Sequence, residues 1–104
     1  MTDSLIAGVL DALDAARIRE KTVVLVTADH GGKGTKHGGD SPEELEIPWI
    51  LHGPGVHRGV EIRSTVNTFD TAPTLASVLG VKPPSCWQGR VVREALQSQG
   101  SAAR

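Results

Sequence analysis

The sequence predicts an α/β fold of few strands with flanking helices. Three observations lead there: apolar residues at helical spacing near the N-terminus, a β-branched apolar run at Val23–Val26, and a second helical segment that starts near Asp70. The chain has 104 residues, of which 38% are hydrophobic, enough for one small domain or a piece of a larger one.

The first element is a helix capped by Asp3 or Ser4. Its apolar residues Leu5, Ile6, Val9, Leu10 and Leu13 fall on one face at a period of about 3.6 residues, so that face must pack on something. Arg17 to Lys21 form a charged turn. Thr22 to Thr27 follow as a strand, and the unbroken run Val23-Val24-Leu25-Val26 reads as fully buried because it lacks the alternation of a strand with one wet face. A long glycine-rich loop then runs from Asp29 to Leu45, and loops of that length in compact domains commonly carry function. Ile47 to Leu51 form a second strand, closed by the Gly53-Pro54-Gly55 turn. Val60 to Val66 is expected to be a third. A helix capped by Asp70 or Thr71 has Pro73 in its first turn and Gly80 just past its end, and Pro83-Pro84 block its continuation. A last short helix covers Val91 to Gln97. Residues 1–97 thus make the folded unit, and 98–104 a flexible tail.

Composition narrows the function classes. Eleven basic and twelve acidic residues are interspersed to a net charge of −1, and the only aromatics are two Trp and one Phe, so no nucleic-acid surface is expected. No apolar segment is long enough for a membrane span. Asp3, Asp11 and Asp14 interrupt the N-terminal stretch in a way a secretory apolar core would not tolerate. Cys86 is alone, which excludes a disulfide framework and a cysteine-based zinc site.

The chemistry-bearing residues cluster at the C-terminal end of the first strand, the edge where open α/β sheets bind ligands. Asp29, His30 and His37 supply the carboxylate and imidazole groups a divalent cation wants. Zinc or manganese suit such a set better than calcium or magnesium, because imidazole is a softer ligand than oxygen. His37 reads equally as a solvated loop histidine. Lys33 and Lys36 can meet a substrate anion or simply be surface lysines, and Asp40 either adds a carboxylate or begins the turn into Ser41-Pro42. His52 and His57, flanking the Gly-Pro-Gly turn, are expected to be exposed and structural. Gly32-Lys33-Gly34-Thr35 is not a nucleotide-binding P-loop: in that pattern's register Thr27 stands where the first glycine belongs and Gly34 where the hydroxyl belongs.

Taken in order, TADHGG, KHGG, EELEIPWILHGPGV, NTFDTAPTLASVLGVKPP and GRVV resemble the C-terminal part of the alkaline phosphatase superfamily, in its sulfatase-like and type I phosphodiesterase/nucleotide pyrophosphatase branches. The resemblance runs from about Asp3 to about Leu96. It implies a partial alkaline-phosphatase-like three-layer sandwich and a metal-dependent hydrolase of phosphate or sulfate esters. Asp29 and His30 would be the metal-binding pair, and His37 would serve a second metal or the substrate's anionic oxygens. The nucleophile and further ligands of such enzymes lie in an N-terminal half, and Ser4, Thr22 and Thr27 are poor substitutes for it. The chain is therefore expected to be a C-terminal portion, inactive alone, that self-associates or is completed by a missing N-terminal half. The alternative is a non-catalytic metal-binding or interaction module derived from the same fold.

Overall fold

The computed structural model describes residues 1–98. The first helix, α1 (Thr2–Ala15), begins two or three residues earlier than expected, with Met1 as its N-cap rather than Asp3 or Ser4. The Ser4 hydroxyl donates back to the Met1 carbonyl at 2.7 Å, and Asp3 falls in the first turn, where a negative charge complements the helix dipole. At the other end the amides of Arg17 and Ile18 bond to the carbonyls of Asp14 and Leu13, a Schellman closure that holds Arg17 at φ 58°. The apolar face is poorly covered. Ile6, Leu10 and Leu13 are half-buried, Leu5 and Val9 are exposed, and no residue of α1 is buried.

After a single 3-10 turn at Arg19–Lys21, strand β1 (Val24–Thr27) pairs antiparallel with β2 (Trp49–His52). The register sets Val24 against His52 and Thr27 against Trp49. This small α/β architecture, a two-stranded sheet with helices beside it, is the class the sequence predicts. The apolar run is half-buried instead of fully buried, because among the described residues β1 has β2 as its one sheet neighbour. In β2, half-buried Trp49 and Leu51 alternate with exposed Ile50 and His52, the pattern of a strand covered on one face.

The predicted loop contains an extra element, the one-turn helix α2 (Pro42–Leu45), with Ser41 as N-cap and proline in its first turn. Conversely, the strand expected over Val60–Val66 has no ladder partner among the described residues and stays irregular. The side chain of Arg90 holds this segment instead, donating to the Ser64 hydroxyl at 3.1 Å and to the Thr65 carbonyl at 3.0 Å.

The most deeply buried residues surround α3 (Thr71–Val78), which continues from a 3-10 turn at Thr68–Asp70. Val56, Val92 and Ala95 form the buried apolar core, and Asp70 and Thr74 are as fully buried beside it. Asp70 is the N-cap of α3 as expected, but its carboxylate makes no cap bond to that helix. One oxygen accepts the Asn67 amide at 2.8 Å, completing a capping box, and the other accepts the Arg90 amide at 2.9 Å. Thr74 donates its hydroxyl to the Asp70 carbonyl at 2.7 Å and accepts the Val92 amide at 2.9 Å. Gly80, at φ 71°, ends the helix as predicted, with the Gly80 and Val81 amides bonded to the carbonyls of Ser77 and Ala76.

The helix predicted over Val91–Gln97 is reduced to one 3-10 turn at Arg93–Ala95. Its backbone groups are engaged elsewhere: the Val92 amide on Thr74, the Gln97 amide on the Gly55 carbonyl, and the Ala95 carbonyl by the His57 amide. Beyond Ser98 the expected tail lies outside the described residues.

Candidate functional site

β1 ends at Thr27, and Ala28 carries the chain off the sheet edge into Asp29 and His30. The pair is locally organised. Asp29 Oδ1 accepts the backbone amide of His30 at 3.0 Å, which fixes the carboxylate against the turn. His30 Nδ1 lies 2.6 Å from the Gly31 carbonyl oxygen, an acceptor with no proton of its own, so Nδ1 carries the proton and donates it. The Nε2 lone pair of the neutral ring then faces Asp29 Oδ2 at 3.5 Å. Two solvent-open acceptors at that separation are reconciled by a proton, giving an imidazolium–carboxylate pair, by a water donating to both, or by a cation between them.

The donor set is compatible with a cation. Ligands about 2.1 Å from a tetrahedral ion sit about 3.4 Å from each other, close to the separation of these two atoms. A histidine whose far nitrogen is tied to a backbone carbonyl is the usual state of a metal ligand, because that bond fixes the tautomer and the ring angle. The side chains are open to solvent, with Asp29 87% and His30 46% exposed, so an ion could reach them directly. The pair supplies two ligands. Among the described residues no group of three or more His, Cys, Asp or Glu side chains is arranged to hold a metal.

The third sequence-predicted ligand is brought to the pair, but against a ring face. His37 stacks on His30 with ring centroids 4.6 Å apart and planes 18° from parallel. Lys33 and Lys36 close a tight turn, exchanging amide–carbonyl hydrogen bonds at 2.9 and 3.0 Å, and both are exposed. Asp40 is exposed just ahead of Ser41 and the start of α2. His52 and His57 are exposed, as expected. A cleft of about 490 Å³ lined by Trp49, Leu51, Val56, Ile62 and Val66 includes none of Asp29, His30 and His37.

What holds the loop is the feature that residue-by-residue reading missed. The Gly31 amide donates to the Glu44 carbonyl and the Gly32 amide to the Glu43 carbonyl, both at 2.8 Å, seating the start of the loop on α2. A side chain at Gly31 would run into the Glu43 carbonyl oxygen and come within 2.8 Å of that of Glu46, so this approach requires glycine. At the far end the Glu44 carboxylate accepts the Gly39 amide at 3.0 Å and the Ser41 hydroxyl at 2.6 Å. The Ser41 hydroxyl and the Gly39 amide hold that carboxyl below its ordinary range. The legible signal was Ser41-Pro42-Glu43-Glu44, a serine followed three residues later by glutamate at a helix start.

One further bond ties the sheet edge to the core: Trp49, opposite Thr27 in the ladder, donates its indole N–H to the Thr71 hydroxyl at 3.1 Å. No helix among the described residues is long and apolar enough to cross a membrane.

Comparison with known proteins places this edge in a family. Residues 1–81 match the Sulfatase family, a span that includes β1, the Asp29–His30 pair, the loop, β2 and α3. Arylsulfatase K of Mus musculus is 26% identical over 88 residues, covering 80% of this chain and 16% of its own length. The low-salt glycan biosynthesis sulfotransferase Agl7 of Haloferax volcanii is 34% identical over 82 residues, covering 69% of this chain and 20% of its own. An ulvan-active sulfatase of Formosa agariphila is 26% identical over 106 residues, covering 93% and 21% respectively. The chain thus spans about a fifth or less of the length of these relatives. No solved structure matches it. With a family match over most of its length and an Asp-His pair at the end of its first strand, the chain belongs to the Sulfatase family of the alkaline-phosphatase-like superfamily.

Proposed function

We propose that this chain carries the Asp-His side of a metal-dependent ester-hydrolase centre, in which Asp29 and His30 hold one divalent cation, with zinc or manganese preferred. The observation that carries the reading is the 3.5 Å separation of Asp29 Oδ2 and His30 Nε2, with the opposite ring nitrogen tied to the Gly31 carbonyl. Such a cation, when bound, supplies positive charge for an ester's anionic oxygens and for an attacking alkoxide. The chain's own part is to present a carboxylate and a neutral imidazole at a fixed angle, with Lys33 and Lys36 on the adjoining turn free to meet an anion.

Sulfate esters are the substrate class that family membership favours. Phosphate esters and phosphodiesters are the neighbouring class, through the resemblance of the five ordered motifs taken together to the type I phosphodiesterase branch. The nucleophile and remaining ligands come from elsewhere, either an N-terminal half or another chain. The hydroxyls of Ser4 and Thr22 both donate to backbone carbonyls, at 2.7 Å each, and neither adjoins Asp29 in sequence.

Calorimetric titration with zinc and manganese tests the reading. Wild type is expected to bind, and Asp29→Ala and His30→Ala to lose most of the heat, while aryl sulfates and aryl phosphates stay intact in all three preparations. Identical isotherms would remove the metal assignment, and ester turnover abolished by His30→Ala would show that the centre is more complete than proposed.

A further inference from the structure

We infer that Glu44 is a positioning residue for the metal-binding pair, stapling the loop so that the His37 ring rests on His30. This rests on the reading of Asp29 and His30 given above. The two histidines are separated by six intervening residues, among them Gly31, Gly32 and Gly34, whose backbone freedom would let the rings drift apart.

Glu44 holds the loop on both sides of that separation. Its main-chain oxygen accepts the amide of Gly31, the residue directly after His30. Its side-chain carboxylate accepts the amide of Gly39, two residues after His37, and the hydroxyl of Ser41 closes on the second carboxylate oxygen. One residue thereby fixes the spacing between the two histidine backbones, and the outcome is the stack at 4.6 Å. His30 is then restrained twice, by the Nδ1 bond to Gly31 at its edge and by the His37 ring across its face. Its Nε2 stays aimed at Asp29 Oδ2.

The chemistry of the staple is specific. Both bonds end on carboxylate oxygens and both donors are neutral, so these are charge-assisted bonds that a neutral side chain reproduces only in part. Gln at this position keeps one oxygen for one donor and turns an N–H₂ toward the other. Ala keeps neither, while leaving the main-chain bond to Gly31 in place.

The test uses the full chain, with zinc ion alone as the probe. In the metal-free protein, proton NMR should show a nuclear Overhauser effect between the His30 and His37 rings; Glu44→Ala should abolish it and Glu44→Gln should weaken it. Zinc affinity should fall by about tenfold in Glu44→Ala, the order lost when groups that orient a ligand are removed, with Glu44→Gln in between. Should Glu44→Ala fail to fold, Ser41→Ala removes one of the two donors and is expected to weaken the ring contact while far-UV circular dichroism stays unchanged. Ring contact absent from wild type, or unaltered in every variant, overturns the inference. If the contact depends on Glu44 but wild type binds no zinc, the staple stands and the metal reading falls.

Discussion

The loop of residues 29–45 and the knot around α3 are both held by a carboxylate that accepts hydrogen bonds from backbone amides, yet they differ in what surrounds the carboxylate. Asp70 is 1% exposed, bonded to the Asn67 and Arg90 amides and packed beside Val92 and Thr74. Glu44 is half-buried, and its partners Gly39 and Ser41 are themselves on the loop. A buried acceptor that is removed leaves amides with no water to turn to, whereas a solvent-accessible one can be replaced by water. The same chemical device therefore secures the fold at one end of the molecule and only an arrangement of side chains at the other.

The contrast is broken most directly at the buried end. Asp70→Ala strands two amides and is expected to lower stability by about 3 kcal/mol, read as a drop in the urea midpoint without a change in slope. A loss below about 1 kcal/mol would mean that the knot relaxes or admits water, and the distinction between the two carboxylates would fail.

Gly31→Ala probes the one place where the loop meets the scaffold without tolerance. The added methyl group collides with the Glu43 carbonyl, so α2 and the loop must separate, at a cost of about 1–3 kcal/mol. Zinc binding should weaken along with stability. By comparison, Asp29→Ala, at an exposed side chain, should change stability by no more than about 0.5 kcal/mol while removing the metal heat. Equal stability losses in both would place Asp29 among the groups that hold the fold.

The smallest effect expected is on acid stability. The Arg90 guanidinium, and after it the Ser64 hydroxyl, hold the Glu94 carboxyl down to about 2 from an ordinary value of 4.5. Because the folded value is the lower one, this pairing stabilises the fold fully above about pH 4.5, and the contribution is lost as pH falls toward 2. Glu94 is exposed, so the effect is modest. Melting temperatures across that window should fall less steeply in Glu94→Gln than in wild type. Parallel curves would show that the Arg90–Glu94 pair contributes nothing measurable.

Local patterns account for what could be read in advance. Val23–Val26, Trp49–Leu51 and the Asp70–Gly80 helix were legible because periodicity, caps and breakers all lie within a few residues of one another. The depth of β1 was not, since a continuous apolar run implies cover on both faces and the cover is not local to the run. Val60–Val66 and Val91–Gln97 misled for a related reason: their backbone and side-chain groups are held by Arg90, Thr74 and residues 55–57, partners 18 to 42 positions away. At the candidate site the placement of Asp29 and His30 just past a strand end was legible. The stack on His37 and the grip of Glu44 depend on how the loop folds back, which no spacing encodes.

The Asp-Thr-Ala-Pro-Thr stretch at 70–74 lies within one of the five motifs that carry the resemblance to the superfamily, and the structure gives it a mechanical job. Asp70 gathers two amides, Thr71 receives the Trp49 indole, Pro73 is buried, and Thr74 relays a hydrogen bond between the Asp70 carbonyl and the Val92 amide. None of these groups needs a substrate to be useful. Such a stretch can outlive catalysis in a lineage, because a descendant that has lost turnover still has to close the same knot in order to fold. Kinship traced through residues 70–74 is therefore kinship of architecture, and whether a given descendant still works has to be asked at the strand end, residue by residue.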